Sequence, residues 1–544
     1  MNSFFASPFS RESMPEIPHQ NPLPSSEGRG GRFVKRHATN MAIALWILAV
    51  AARLIFINQP YVDHWSWRQS DVAAIARNFS ENGFHFAYPQ IDWAGNATGY
   101  VGTEFPILPF LAATCYKLAG NHEWIGRIQS VILFAISLPF FFLLVRDIFS
   151  TTAALWATFF FSFAPVNIFA GRSFMPDVPS LSFAIIGVYF FLRWTREPTR
   201  MAFFLAAIAI SLSLLIKITS IIVFAPLLYL AVCEGADLGW AGRDHTFGGR
   251  GQLRKDPRAA RPWLQFVLFA LVALLPSAAW YWHAHRIAER FYPHHFFGAG
   301  GIRIENFSWY CAIARQTAIS SLTPILSMMA IIGLFVPQSR DRKYSRLFHW
   351  WLAAMLLFII IAGYGNRHRW YQLPLAPIAA AFAGVACAFI ASKIAPSRAA
   401  SATLSILLAG SFALLAYVYV RPLYESSAAQ LRDAGLELNK ITAPDALIVA
   451  ADTGDPTMFY YAQRKGWHFL EEDAIYAGNP TSSQDAMADL EDLRRQGATH
   501  LVFTTNTFWW LDYYPEFGQH LSENARLVDA TPEFKIYELN PVSR

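Results

Sequence analysis

The fold is decided by long apolar stretches, and residues 127–145 are representative: they read RIQSVILFAISLPFFFLLV. After Arg127 at its start, this stretch holds no charged residue. A segment of this length crosses a hydrocarbon core of about 30 Å as an α-helix, because a helix satisfies its own backbone hydrogen bonds where no water can do so. The stretch therefore predicts a membrane-spanning helix.

Comparable stretches recur along the chain, and together they predict about eleven spans. The predicted spans are residues 41–57, 127–145, 151–170, 178–194, 201–216, 218–233, 263–282, 318–336, 348–364, 372–392 and 399–420. The composition agrees, with 54% apolar residues, 16% aromatic residues and a mean hydropathy of +0.27. This exceeds what one water-soluble core can bury. The sequence thus predicts a polytopic α-helical membrane protein and argues against a soluble enzyme. The apolar segment 106–119 is short and broken by Pro106 and Pro109, so we expect it at the interface or re-entrant.

The distribution of Lys and Arg predicts the orientation, because these residues accumulate in cytoplasmic loops. Residues 1–40 are rich in Ser, Pro, Gly and Arg and are expected to form a disordered cytoplasmic tail. The basic loops 195–200, 234–262 and 338–347 then fall inside. Alternation places residues 58–126, 171–177, 283–317, 365–371 and all residues after 420 outside. We therefore expect a multi-pass protein of the plasma (inner) membrane with a large first outside loop over residues 58–126.

The C-terminal segment, residues 421–544, has the composition of a water-exposed domain. It holds 10 Lys and Arg against 19 Asp and Glu, whereas the whole chain holds 44 against 38. The stretches ALIVAAD and THLVFTT indicate buried strands, while residues 421–440 and 483–496 show helical periodicity. These patterns predict a small extracytoplasmic α/β domain with a supporting role.

The first outside loop concentrates polar residues close to the first span. These residues are Asp63, His64, Arg68, Gln69 and Asp71. Residues 69–82 then carry apolar side chains at three- and four-residue steps, which predicts an amphipathic helix lying along the membrane interface. Either the loop is an interfacial segment with solvated charges, or it forms part of an active site.

Further polar residues fall on the same predicted side. Glu104 directly precedes the segment 106–119 and is either a helix-start charge or an active-site acid. Arg172 and Asp177 lie in the short turn GRSFMPDVP, where Asp177 is either a helix cap or a site residue. The outside cations include Lys217, Arg367 and Arg369. Cations on this side of a membrane require a partner, either a lipid phosphate or the loop carboxylates.

These residues resemble a known group, the polyprenyl-phosphate-dependent GT-C glycosyltransferases, in particular the bacterial relatives of protein O-mannosyltransferases and of the lipid A aminoarabinose transferase. The resemblance covers roughly residues 41–392. It is carried by an acidic residue soon after the first span and by the stretches AAIARNF, EFPILPFLAATCYKLAG, EWIGRIQSVI, FMPD, LIKITS and RHRWYQLPLAP, in that order.

The resemblance implies an outward-facing cavity, an undecaprenyl-phosphate-linked sugar as donor and inversion at the anomeric carbon. The acceptor would be a lipid, a glycan or a protein hydroxyl, and no nucleic acid is expected as a partner. A departing phosphate requires cations, and the acceptor hydroxyl requires a carboxylate base. Asp63 is the first choice for that base and Asp71 its rival. The residues that match positions near the donor phosphate are Lys217, Arg367, His368, Arg369 and Tyr371, and Arg68 joins them as a candidate.

A divalent metal is the one cofactor that the resemblance raises. In some relatives an acidic residue at the position of Glu104 shares a metal with a histidine from a later outside loop. The candidates for that histidine are His283 and His285, with His294 and His295 close by. Histidines also serve as interfacial hydrogen-bonding residues, so the metal remains an open alternative at this stage.

A membrane transporter or flippase of a lipid-linked substrate is the competing function. Transporters place charges near the midplane of several helices and often contain internal repeats. Here the polar residues collect at one predicted surface, and no repeat is evident. The sequence therefore favours an enzyme.

Overall fold

The structure is a computed structural model that describes residues 29–235, 262–296, 301–338, 343–393, 397–472 and 475–541. Most of the predicted tail and of the predicted cytoplasmic loop 234–262 lie outside these residues. The helices up to residue 420 are α1 Arg29–Leu54, α2 Ser66–Asn82, α3 Ile107–Ala119, α4 Glu123–Ile148, α5 Thr151–Phe163, α6 Pro165–Ala170, α7 Asp177–Arg196, α8 Arg200–Ile216, α9 Phe224–Gly235, α10 Pro262–Arg290, α11 Phe307–Gln316, α12 Pro324–Phe335, α13 Leu347–Ile361, α14 Leu375–Lys393 and α15 Arg398–Val420.

Every predicted span contains one or more of these helices. Within the described residues, six helices are long and apolar enough to cross a membrane, and a seventh span results if the bent pair around α11 and α12 counts as one. The axes of that pair differ by 109°. Five further apolar helices are shorter, and α3, the predicted interfacial or re-entrant segment, is among them. The chain is thus a multi-pass helical membrane protein, as predicted.

Small residues allow the helices of this membrane part to approach closely. A Cβ atom on Gly384 of α14 would lie 2.2 Å from the Ala153 carbonyl oxygen of α5. A Cβ atom on Gly333 of α12 would overlap the backbone of Phe382 in α14. Close backbone contact at small residues is the usual basis of helix association in membranes.

The first helix begins earlier than predicted. We expected disorder up to residue 40, but α1 begins at Arg29.

The helix predicted along the interface is buried instead. Helix α2 spans Ser66–Asn82, and its polar residues Arg68, Asp71 and Asn78 are as buried as its apolar ones. It packs against α3 on one side and against residues of the C-terminal segment on another. The prediction of an interfacial helix with its polar face at the membrane surface was therefore wrong, because protein groups cover that face.

The C-terminal segment forms a small α/β domain. Its helices and strands are α16 Ala429–Ile441, β1 Leu447–Ala451, α17 Thr457–Ala462, β2 Lys465–His468, β3 Glu471–Glu472, β4 Ile475–Tyr476, α18 Ser483–Arg495, β5 His500–Thr504, α19 Trp509–Tyr513, α20 Pro515–Asn524, β6 Ala525–Ala530 and β7 Phe534–Leu539. The main sheet has the order β2-β1-β5-β7-β6. Strands β2, β1 and β5 are parallel, while β7 is antiparallel to both β5 and β6. Both predicted strands and both predicted helices are present.

This domain shares a hydrophobic core with the first outside loop. Ile75 and Phe79 of α2 belong to the same buried cluster as Ile448 of β1 and Phe459 of α17. The loop also extends the sheet edge at β2, because the Gly95 N–H donates to the Gly466 carbonyl over 2.7 Å and the Gly466 N–H donates to the Asp92 carbonyl over 3.1 Å. Gly95 has φ +54°, and a Cβ atom there would overlap the Trp467 ring. The C-terminal domain therefore supplies part of the hydrophobic core of the first outside loop.

Candidate active site

Asp63 lies fully buried in a network of its own. Its Oδ2 accepts from Arg127 over 3.1 Å and from Arg172 over 3.0 Å. Its Oδ1 accepts from the Gln69 amide over 2.7 Å and from the Trp65 N–H over 3.2 Å. Both oxygens are thus saturated by protein donors and have no exposed surface. A carboxylate in this state ties elements together, and it is poorly suited to take a proton from a substrate.

Two further candidates, Gln69 and Arg172, serve this same network. The Gln69 Oε1 accepts from Arg127 over 3.2 Å, and Arg172 also donates to the Gln59 side chain over 3.0 Å. Arg127 was missed by the sequence interpretation, although it stands at the start of the quoted apolar stretch. A lone cation at the edge of an apolar run could have indicated a buried partner.

A second cluster brings Arg68 and Glu104 together. One Arg68 nitrogen lies 2.6 Å from the Glu104 Oε1, and Thr103 donates to the other Glu104 oxygen over 3.1 Å. Burial would raise the pKa of Glu104, but the charge of Arg68 and then that of Lys217 outweigh it and hold that pKa below its ordinary value. Glu104 therefore stays ionised and orients Arg68.

Lys217 and Asp177 form a third buried pair, with 2.6 Å between Nζ and Oδ1. Lys217 follows the last residue of α8, where its extended backbone ends the helix. Its ammonium lies 4.8 Å from the centre of the Tyr371 ring. Asp177 begins α7 without capping it, so the predicted cap is wrong. Its Oδ2 is buried and accepts no hydrogen bond from the described part of the chain.

A polar cleft surrounds this pair. It is lined by Asp177, Ser180, Lys217, Thr219, Ser220 and Tyr371, with Phe358, Trp370, Leu373 and Pro374 among its apolar walls. The charge of Lys217 acts on Glu104, and that of Asp177 acts on Arg68. The second and third clusters therefore belong to one charged region.

The basic residues 367–369 lie in two different places: Arg367 and His368 lie beside the charged region, and Arg369 lies near His64. The Arg367 guanidinium lies 3.8 Å from the centre of the Tyr364 ring. The His368 ring stacks on Trp370, and burial followed by the charges of Arg367, Lys217 and Arg68 lowers the pKa of His368 to about 4. His368 is therefore neutral beside the charged region.

Arg369 acts elsewhere, on His64. Partial burial and then the charge of Arg369 lower the pKa of His64 below its ordinary value. These two predicted residues form a pair at the end of the first span.

Asp71 differs from Asp63 in almost every respect. Its Oδ1 accepts one hydrogen bond, from the Trp93 indole over 3.0 Å, and its Oδ2 accepts none from the described residues. Burial raises the pKa of Asp71 to about 6, against the opposing effects of Trp93, Arg68 and His468. A carboxylate with a free oxygen and a pKa near neutrality has the properties of a general base.

The C-terminal domain supplies residues that the sequence interpretation missed. Asp455 accepts from the Ser66 hydroxyl over 2.6 Å, and His468 lies 2.8 Å from Asp452. Asp452 is the last residue of the predicted strand ALIVAAD. Polar residues after buried parallel strands meet at the carboxyl edge of the sheet, which was the available signal.

The predicted metal ligands do not come together. Glu104 is bonded to Arg68, while the His283 Nε2 lies 2.8 Å from the Ala87 carbonyl and His285 lies 3.1 Å from Glu289. Within the described residues, no three His, Cys, Asp or Glu side chains are grouped to hold a metal ion. Glu104 therefore forms no metal site with His283 or His285. Of the neighbouring candidates, His295 lies close enough for the charge of Glu104 to act on it.

An apolar groove of about 540 Å³ adjoins the polar cleft. It runs between α11–α12 and α13–α14, with Ala314, Leu334 and Phe382 among its walls. Ile359 and Leu375 line the groove, while their chain neighbours Phe358 and Pro374 line the cleft. The cleft and the groove therefore lie near each other at residues 358–359 and 374–375, and the apolar groove suits a long hydrocarbon chain.

Comparison with known proteins identifies the fold. Residues 103–247 match the family model described as dolichyl-phosphate-mannose-protein mannosyltransferase. ArnT from Cupriavidus metallidurans in the apo state superposes with a TM-score of 0.61 at 14% identity, covering 92% of this chain and 98% of that one. The same protein bound to undecaprenyl phosphate gives 0.58 at 13% identity, covering 94% and 98%.

An archaeal protein also has this fold. The Archaeoglobus fulgidus oligosaccharyltransferase in the apo form superposes with a TM-score of 0.54 at 14% identity, covering 86% of this chain and 70% of that one. No curated protein matches the chain by sequence.

The chain therefore has the fold of ArnT and of the archaeal oligosaccharyltransferase, and the fold that the resemblance implied is confirmed. Within it, residues 103–247 carry the sequence pattern of the dolichyl-phosphate-mannose-protein mannosyltransferase family.

Proposed function

We propose that this protein is an inverting glycosyltransferase that moves a sugar from a polyprenyl-phosphate donor to a hydroxyl group on the outer side of the membrane. The observation that carries the proposal is that the polar cleft and the apolar groove lie near each other, lined by neighbouring residues at 358–359 and 374–375. A ligand that fits both has a charged phosphate and a long apolar chain. ArnT from Cupriavidus metallidurans, which has the same fold, has been solved bound to undecaprenyl phosphate, a ligand of this kind.

The cations of the charged region would hold the phosphate. Arg68 is oriented by Glu104 and Lys217 by Asp177, each over 2.6 Å, so neither side chain has to reorganise when the phosphate binds. Charges placed in advance stabilise a leaving phosphate more effectively than mobile ones do. Tyr371 borders the same cleft and would shield it from water.

Asp71 would act as the base. The acceptor oxygen forms a bond to the anomeric carbon as the bond from that carbon to the phosphate oxygen breaks, and the hydroxyl proton passes to the Asp71 carboxylate. Polyprenyl phosphate leaves with the electron pair of the broken bond. A single displacement of this kind inverts the anomeric carbon. The acceptor is a lipid, a glycan or a protein, and the donor sugar belongs to the same proposal.

Binding of undecaprenyl phosphate tests the donor site without knowledge of the sugar. We expect Lys217→Ala to weaken binding of this lipid to the purified protein by about 10- to 100-fold, since a charged hydrogen bond contributes roughly 1.5–3 kcal/mol. Ala314→Trp should weaken binding by filling the groove, whereas Ala312→Trp, on the exposed side of α11, is the matched control. Unchanged affinity in both Lys217→Ala and Ala314→Trp would exclude this donor site.

Activity tests the base. Deletion of the gene should change the mass of an envelope lipid, glycan or protein by one sugar, and the wild-type chain should restore that mass. Asp71→Asn should fail to restore it, because loss of a general base lowers the rate by about 10²- to 10⁴-fold. Full restoration by Asp71→Asn would exclude Asp71 as the base.

A further inference from the structure

The carboxyl edge of the C-terminal sheet is occupied by the first outside loop. Asp452 follows β1 and His468 ends β2, and both side chains are buried. Open α/β sheets ordinarily bind ligands in the crevice at this edge. Here Ser66 donates to Asp455 over 2.6 Å, and the hydroxyls of Ser70 and Thr457 lie 2.9 Å apart. The edge therefore holds α2 in the place where other sheets hold a ligand.

Trp93 connects the sheet edge to Asp71. Its ring centre lies 5.3 Å from that of His468 and 5.4 Å from that of His295. Its indole N–H donates to Asp71 over 3.0 Å. His468 is itself held by Asp452 over 2.8 Å. A ring packed against both histidines presents its N–H in one direction, so the Trp93 donor fixes the orientation of the Asp71 carboxylate.

The charges around this contact reinforce the geometry. Arg68, His468 and Asp455 face Asp71, while Asp452, Asp71 and Asp455 face His468. Burial would lower the pKa of His468, but Asp452 outweighs it and raises that pKa above its ordinary value. Burial and then Arg68 lower the pKa of His295 to about 4, so that ring is neutral. The positive groups that face Asp71 are thus Arg68 and His468.

We propose that the Asp452–His468 pair of the C-terminal domain positions the Asp71 carboxylate through Trp93 and keeps it ionised through the charge of His468. His468 is a positioning residue, since it contacts Trp93 and Asp452. The inference rests on the proposed role of Asp71 as the base. It makes the C-terminal domain part of the catalytic machinery, where the sequence predicted a supporting role.

Infrared spectroscopy can follow Asp71 without any substrate. In wild-type protein in liposomes, the carboxylic acid band that disappears in Asp71→Asn should titrate near pH 6, following the pKa of about 6. His468→Asn keeps a donor near the position of Nδ1 and removes the charge. We expect it to move that titration upward by roughly half a unit to one unit, because an opposite charge nearby favours the ionised form.

Two matched variants separate this effect from general damage. Asp452→Asn keeps the shape of the side chain and should also move the titration of the Asp71 band upward. If His468→Asn does not fold, Asp452→Asn tests the positioning role in its place. His500→Asn is the control, because His500 begins β5 at the opposite edge of the sheet and should leave the band in place. Binding of undecaprenyl phosphate should be unchanged in all three.

The outcomes distinguish the two proposals. If the Asp71 band does not move in Asp452→Asn, the positioning role is excluded while Asp71 can still be the base. If Asp71→Asn restores the envelope product in cells, the base assignment fails whatever the band does. An Asp71 band that shifts in Asp452→Asn, together with an inactive Asp71→Asn variant, supports both the base assignment and the positioning role.

Discussion

Asp63 and Asp71 both lie in the first outside loop, but their surroundings favour different roles. Asp63 lies between two guanidinium groups without exposed surface, whereas Asp71 accepts a single indole hydrogen bond. The sequence could not separate them, because the partners of Asp63 come from α4 and from the turn before α7. Spacing within the loop carries no information about partners so distant along the chain.

Asp63→Asn should destabilise the protein. Removing the charge leaves Arg127 and Arg172 buried without a carboxylate, which costs about 3–5 kcal/mol for a broken buried ion pair. Thermal unfolding in detergent should show a clearly lowered melting temperature. Glu197→Gln, which removes the exposed partner of Arg193, is the control and should change it little. Equal stability of both variants would contradict the structural role of Asp63.

The activity should have an acid limb near pH 6. The pKa of Asp71 is raised to about 6, chiefly by burial, and a base must be deprotonated to act. The rate should therefore rise with pH through about 6 and level off above about 7. Initial rates of sugar transfer by vesicles across this range provide the measurement. A rate that is flat from about pH 5 to 8 would argue against Asp71.

At the level of elements, α2 shows where helical periodicity misleads. Apolar residues at three- and four-residue steps predicted one buried face, and Ile75 and Phe79 are indeed buried. The opposite face is buried as well, because the Ser66 hydroxyl donates to Asp455 and the Ser70 hydroxyl is hydrogen-bonded to that of Thr457. Periodicity reports hydrophobic burial, and polar burial by a distant domain leaves no mark on it.

The contact between α5 and α14 depends on the absence of a side chain at Gly384. In Gly384→Ala the new methyl group would lie 2.2 Å from the Ala153 carbonyl oxygen, so the helices must separate. We expect a loss of about 1–3 kcal/mol, typical of overpacking. Gly410→Ala in α15 is the control, because nothing lies within 4 Å of its added Cβ atom. The free energy of unfolding in detergent should be lower for Gly384→Ala than for Gly410→Ala. The reverse order would contradict the close packing of α5 and α14.

For the whole molecule, the spans were predictable because hydrophobic length alone determines what a bilayer accepts. The strands and helices of the C-terminal domain were predictable for a related reason, since buried strands and amphipathic helices have local patterns. The packing of that domain against the first outside loop and α4 could not be predicted from the sequence. It depends on contacts such as Tyr461 with Glu123 and Asp455 with Ser66, which join opposite ends of the chain.

The predicted orientation can be tested by labelling. In a cysteine-free background, a cysteine at the exposed position Glu523 should react with a membrane-impermeant maleimide added to intact cells. A cysteine at Glu197, in a predicted cytoplasmic loop, should react only after the membrane is opened. The opposite pattern would reverse the orientation and remove the outward-facing site.

The hydrophobic core shared by residues 58–126 and the C-terminal domain has a consequence for how the protein is made. The ribosome releases the first loop long before it reaches Asp452 and His468, and the intervening helices must be inserted meanwhile. Until then Ser66, Ser70 and Trp93 lack the partners that bury them. We expect the proposed activity to appear only after the C-terminal domain has been synthesised and has packed against the first loop.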